Sequence, residues 1–191
     1  MAEASSILFS IGVMLVALAF AAHVGHAVML ANGRRSLPVL TASAARQPAY
    51  AGAVTGSFVS ARTQASTSGP TLAASPSPLS RVAGGLTVLG AAALGASLLL
   101  RGIVVGRGPW GNMFEFTVAF SFSMVVGYLV LARRHAIGSI GFIPTAVALA
   151  LLLYASSLPS EIQPLVPALQ NAPLLTIHVG MAVISYGIFA T

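Results

Sequence analysis

Few residues in this chain can do chemistry. Of its 191 residues only Glu3, Glu115 and Glu161 are acidic, nine are arginine and four are histidine, while Asp, Lys and Cys are absent. The lack of cysteine removes disulfides, zinc–thiolate sites, iron–sulfur ligation and thiol nucleophiles. Paired-carboxylate catalysis and Asp-based metal cages lack their ligands. The histidines therefore matter most. A neutral imidazole such as His178 can ligate a metal, haem iron included, act as a general base, or simply hydrogen-bond to a neighbouring helix or headgroup. His23 and His26 lie three residues apart and share one helix face. They can contribute two ligands to one metal, mark a relay point, or snorkel to the inner interface. Alone they cannot supply the opposed ligands of a bis-histidine haem. His135, directly after Arg133 and Arg134, reads as a solvated flanking residue.

The second chemical feature is the run Gly108-Pro109-Trp110-Gly111-Asn112-Met113-Phe114-Glu115-Phe116. Gly108-Pro109 predicts a turn. Asn112 is placed to cap the helix that follows, with Glu115 at the capping-box position. Trp110 suits the headgroup belt. The same residues offer flat apolar surface and one acid to a large planar ligand. Arg101 and Arg107 flank the run, available to lipid phosphates or to carboxylates such as haem propionates.

The elements that carry these residues are apolar. The chain is 57% hydrophobic and 6% charged, against roughly 25% charged in a soluble domain. It cannot cover itself with a water-compatible surface. About 20 apolar residues cross a bilayer core, and five stretches approach that length: Ile7 to Leu30, Val82 to Leu100, Phe116 to Ala132, Ile137 to Leu158 with Pro144 in its first turns, and Pro173 onward to Thr191. The expected fold is an all-α, polytopic transmembrane bundle of about five spans. The net charge of +6 is then a topology signal, with no nucleic-acid partner implied. Arg34, Arg35, Arg46, Arg62 and Arg81 follow span one, and Arg133 and Arg134 follow span three. Arginine excess marks the cytoplasmic side, which puts the N-terminus outside. Span one lacks a positive n-region and is too long for a signal peptide. The expected organisation is a first transmembrane helix (1–31), a flexible cytoplasmic linker rich in Arg, Ser, Pro and Ala (32–80), and a membrane bundle of four helices (81–191) whose last outer loop is 156–172. The last span ends without a polar anchor and reads as truncated. Ala91 and Gly95 form a small-xxx-small pair that hints at close helix contact.

Trp110-Gly111-Asn112-Met113-Phe114-Glu115-Phe116, opening a span on the outer face, resembles the outer-loop segment of the CcsA/ResC family, which typically reads Trp-Gly-Asn-Met-Tyr-Glu-Phe or Ser-Asn-Leu-Tyr-Glu-Ser. Phe114 stands where that pattern has Tyr. Leu174-Leu175-Thr176-Ile177-His178-Val179, followed by Ser185-Tyr186, resembles the family helix that carries an external haem-ligand histidine. The match runs from about Val82 to Thr191. It implies a membrane subunit of the system II cytochrome c assembly machinery in a bacterial plasma membrane, working with a ResB/CcsB-type partner. Such a complex holds b-type haem at the outer face for thioether attachment to apocytochrome c. His178 would be an axial ligand to haem iron. Trp110, Glu115 and Arg107 would be cofactor contacts, and His23 and His26 possible secondary ones. No catalytic residue is implied. The chain would be part of a haem-lyase complex and inactive alone. The family's tryptophan-rich Trp-Gly-x-x-Trp-x-Trp-Asp loop has no counterpart here, so the chain corresponds to the amino-terminal part of such a protein.

Two other functions fit the composition. A membrane anchor holding b-type haem for electron transfer needs histidines on facing helices at one depth, and His178 sits at the opposite side from His23 and His26. A non-catalytic transporter subunit needs a polar path at the midplane, where these spans carry Ala, Val, Leu, Gly and Phe.

Overall fold

The computed structural model describes residues 1–35, 77–135, 137–161 and 172–191. They form five helices: α1 (Ala2–Arg35), α2 (Pro78–Val105), α3 (Met113–Arg134), α4 (Phe142–Ser156) and α5 (Ala172–Phe189). A 3-10 turn, Gly138–Ile140, leads into α4. There is no strand among the described residues. Four of the helical segments are long and apolar enough to cross a membrane. The fifth, α5, has 18 residues and rises about 27 Å, just short of a core of about 30 Å.

The helix ends follow local chemistry. Ser77 caps α2 by accepting from the Ser80 amide at 3.2 Å, and Pro78 fills the first turn, where its missing N–H costs nothing. The linker expected over 32–80 is thus shorter at both ends, because 32–35 continue α1 and 77–80 are cap and first turn. The rest of that linker lies outside the described residues, as does 162–171 of the last outer loop. Gly106 ends α2 in the left-handed region (φ 70°), returning its N–H to the Gly102 carbonyl. Asn112 caps α3 as expected, its Oδ1 accepting from the Glu115 amide at 2.8 Å. Arg133 and Arg134 occupy the last turn of α3, where they complement the helix dipole.

Helices α1 and α2 run antiparallel in close contact. Their register is fixed from end to end by Ser97 Oγ donating to the Ser5 carbonyl (2.7 Å), by Leu94 over Gly12, by Val16 over Gly90, and by His26 beside Ser77. The close approach uses Gly12 and Gly90. Gly95 of the anticipated small pair instead faces the Phe122 ring on α3. Helix α3 packs against α2, α4 and α5 and is the central element, 61% buried over its apolar window against 28–33% for the other three spans.

The core is apolar, but the outside is apolar too, and several polar side chains are held inside. Buried positions include His23, Thr87, Ser97, Arg101, Glu115, Thr117, Ser121 and Thr145, while Ile7, Met14, Leu18, Leu89, Leu99, Ile103 and Leu153 point outward. Lipid solvates the outward set, and polar side chains are best placed inside the bundle. The arginine rule makes the end of the bundle that carries Glu115 the outer end, and it is so named below.

Candidate functional site

The outer end is built around one carboxylate. Glu115, in the first turn of α3, is fully buried (0% exposed) and both its oxygens are engaged. Arg101 Nε, from the last turns of α2, donates to Oε1 at 2.8 Å, and the Gly111 amide donates to Oε2 at 2.8 Å. Arg107 Nη1 lies 3.6 Å from Oε2. Arg101 also donates through its Nη2 to the Ser160 carbonyl in the segment after α4, and Asn112 Nδ2 donates to the Glu161 carbonyl at 3.2 Å. The Arg101 guanidinium stacks 4.8 Å over the Phe114 ring, which meets Phe9 of α1 edge-on at 5.1 Å. One ionic centre therefore ties α2, the 106–112 loop, α3 and the segment after α4 together. Glu115 sits at the capping-box position, but its side chain goes to the Gly111 amide and two arginines instead of the Asn112 amide.

This geometry changes the reading of two residues. Arg101 is 7% exposed and committed to Glu115 and Ser160, so it is not a lipid-phosphate contact. Glu115 has no oxygen left for a ligand at the surface. It acts on its surroundings as the anchor of two loops.

Trp110 and Arg107 sit on the neighbouring side of that latch, at the mouth of an apolar groove of about 820 Å³. Its floor is α3 (Phe122, Val126), with α2 (Leu98, Ile103) and α5 (Val183, Ile184) as walls. The α5 wall is held close by small residues. Gly187 lies against Ser123, and Gly127 lies against the Ile188 backbone. Trp110 packs over Gly180, whose hypothetical Cβ would lie 3.5 Å from the indole.

His178 is not part of this assembly. At about 100° per residue it lies roughly 200° around α5 from Gly180. It is exposed, together with Leu174, Ile177 and Met181. The structure brings Trp110, Arg107 and Glu115 together and sets His178 on the far face of α5.

The inner end holds a second polar cluster. His23 (4% exposed) and His26 are both buried against α2, which replaces snorkelling as their account. His26 Nδ1 pairs with Ser77 Oγ at 3.0 Å, and His23 Nε2 pairs with Thr87 Oγ1 at 3.2 Å. Thr87 gives its single hydroxyl proton to the Ala83 carbonyl at 2.7 Å, so His23 Nε2 is the donor and Nδ1 is the bare acceptor. Tyr128 meets the His23 ring edge-on at 5.5 Å. Its hydroxyl and His23 Nδ1 border the space over Gly141, 2.2 and 2.7 Å from where a Cβ would stand. The two histidines serve different partners. No group of three or more metal-ligating side chains occurs among the described residues. Tyr128, Thr87, Gly141 and Ser160 were not singled out from sequence. Of these, Tyr128 had a usable signal, a polar aromatic at the depth of His23 once the topology is drawn.

No protein-family model, curated protein or solved structure matches the chain.

Proposed function

We propose that this chain is part of a membrane assembly that holds haem at the outer face for attachment to apocytochrome c, with His178 as one axial ligand. The observation that carries the reading is the position of His178. An imidazole on the outward face of an apolar helix, in its outer half and flanked by Leu174, Ile177 and Met181, is costly in lipid unless something meets it. Haem iron is a ligand of the required kind. The donor set fits in part, because His178 supplies one ligand and no second histidine shares its end of the bundle among the described residues. The opposed ligand is then assigned to a ResB/CcsB-type partner or to further chain.

Haem would contribute the iron that His178 binds and the vinyl groups that accept the thiols of apocytochrome c. The chain's own residues orient and support. The Arg101–Glu115 pair anchors the 106–112 loop and the segment after α4 at the outer end. Trp110 braces the opposite side of α5 at Gly180, so His178 is directed outward. Glu115, Arg107 and Trp110 enter this proposal as positioning residues.

The test is His178→Ala in the full-length protein with its partner, in cells lacking their own system. Bound haem per protein and the yield of c-type cytochrome should both fall at least about tenfold, since losing even a hydrogen-bond partner of a metal ligand costs about 10–100-fold and His178 would be the ligand itself. Exogenous imidazole should restore the haem absorption band. Unchanged haem content would remove His178 as a ligand.

A further inference from the structure

The inner end of the bundle is remote from His178, and what it binds does not depend on the haem reading. We propose that it docks the headgroups of anionic phospholipids in the adjoining leaflet, at Arg81, Arg133 and Arg134. Three observations carry this. The first is level. The 2.8 Å contact between Arg101 and Glu115 puts one point of α2 and one point of α3 at the same depth. Arg81 lies twenty residues before Arg101, and Arg133 and Arg134 lie eighteen and nineteen residues after Glu115. At about 1.5 Å per residue these are rises of about 27–30 Å, close to the thickness of a hydrocarbon core. The three arginines therefore share one plane, where acyl chains give way to headgroups.

The second is charge. All three arginines are exposed, and the ion pairs among the described residues involve none of them. The chain's only acids stand at the other end: Glu3 in the first turn of α1, Glu115 in the outer latch and Glu161 beside Asn112. No acid occurs in either inner connection, 36–76 or 135–141. The first turn of α2 also holds no acid, and Arg81 adds a cation to the positive end of that helix, which an external anion relieves. The third is the apolar flank. Val82, next to Arg81, and Val130, one turn before Arg133 and Arg134, are 55% and 50% exposed. Acyl chains cover such positions on a spanning helix, so the guanidiniums beside them meet headgroups before bulk water. A lipid phosphate accepts charge-assisted hydrogen bonds from arginine, and an anionic headgroup brings no competing cation.

The test measures which lipids stay with the protein. The full chain would be reconstituted in vesicles of phosphatidylcholine with a minor fraction of phosphatidylglycerol, re-extracted in mild detergent, and its retained lipids counted by mass spectrometry. Phosphatidylglycerol should be enriched at least about fivefold over its share of the vesicle, the worth of one arginine near an anionic surface. Extraction in about 1 M salt, where the Debye length falls to about 3 Å, should remove most of the enrichment without any change of sequence. The triple variant Arg81→Gln/Arg133→Gln/Arg134→Gln should lose most of it as well. Lysine at the same three positions should keep it, because the charge is retained. No enrichment in the natural sequence would overturn the proposal and leave the rim to water or to an acidic protein. Full enrichment in the glutamine variant, or at high salt, would also overturn it.

Discussion

Replacing Glu115 by Gln keeps the size and one acceptor but removes the negative charge that faces Arg101 and Arg107. Arg101, 7% exposed, would then be a buried cation held by an amide and the Ser160 carbonyl. Breaking a buried ion pair from one side costs about 3–5 kcal/mol, mostly the penalty of the charge left behind. The Gly111 amide also exchanges a charged acceptor for a neutral one, or loses it if the amide turns its NH2 inward. At about 2–4 °C per kcal/mol for a chain of this size, thermal unfolding of the detergent-solubilised protein should drop by roughly 6–20 °C. Arg101→Met isolates the other half. It leaves Glu115 with Arg107 and Gly111, so its effect should be smaller than that of Glu115→Gln. The double variant Arg101→Met/Glu115→Met should recover part of the loss, since an apolar pair can replace a buried ionic one. It should not recover all, because Arg107 and the Gly111 amide still lack their acceptor, at about 1–3 kcal/mol. A shift below about 2 °C for Glu115→Gln, or strictly additive single variants, would refute the keystone role.

Three further outcomes are expected. Gly141→Ala should destabilise by about 1–3 kcal/mol through overpacking, since its Cβ would fall 2.2 Å from the Tyr128 hydroxyl and 2.7 Å from His23. Tyr128→Phe should relieve part of this in a thermal melt, and no relief would place the strain elsewhere. Gly187→Ala brings a Cβ to 2.9 Å from the Ser123 backbone carbon and should push α5 off α3, measured as lower cross-linking between cysteines introduced on the two helices. Ser123→Ala should rescue only weakly, because the backbone contact remains, and full rescue would count against it. The chain has no cysteine, so single introduced thiols report topology cleanly. Ser157→Cys should react with an impermeant maleimide from outside and His135→Cys only after permeabilisation, and the reverse pattern would invert the orientation.

The fold was legible because its signals are local. Apolar length and Asn112 before an acidic third residue each specify an element without reference to distant residues, whereas Ser77-Pro78, expected within the linker, is the cap and first turn of α2. The candidate site was legible only by composition. Arg101 and Glu115 were both noticed, but their pairing depends on how α2 and α3 meet across the 106–112 loop, which no periodicity encodes. The burial of His23 was hidden for a related reason. Hydropathy places a histidine along the span but not around it, and its direction is set by Thr87 and Gly141 on other helices. His178 shows the converse, since a residue prominent in sequence turns out to face away from the aromatic and charged residues grouped with it.

The two polar clusters also bear on what the bundle can conduct. A transport path or proton wire needs polar groups linked to one another between the outer Glu115 centre and the inner His23–Tyr128 centre. The buried hydroxyls between them are Ser97, Thr117, Ser121 and Ser123, and each donates to a backbone carbonyl: of Ser5, Met113, Thr117 and Ile184 respectively. Thr117 and Ser121 are closed within α3 itself, the back-bonded state that satisfies a hydroxyl in a helix. Around them stand Val16, Leu94, Val118, Met124 and Val125, all fully buried or nearly so. Moving a charge through that layer would require breaking these bonds in a low-dielectric interior, where an unpaired polar group is expensive. The described residues therefore act as a scaffold with two separately locked ends.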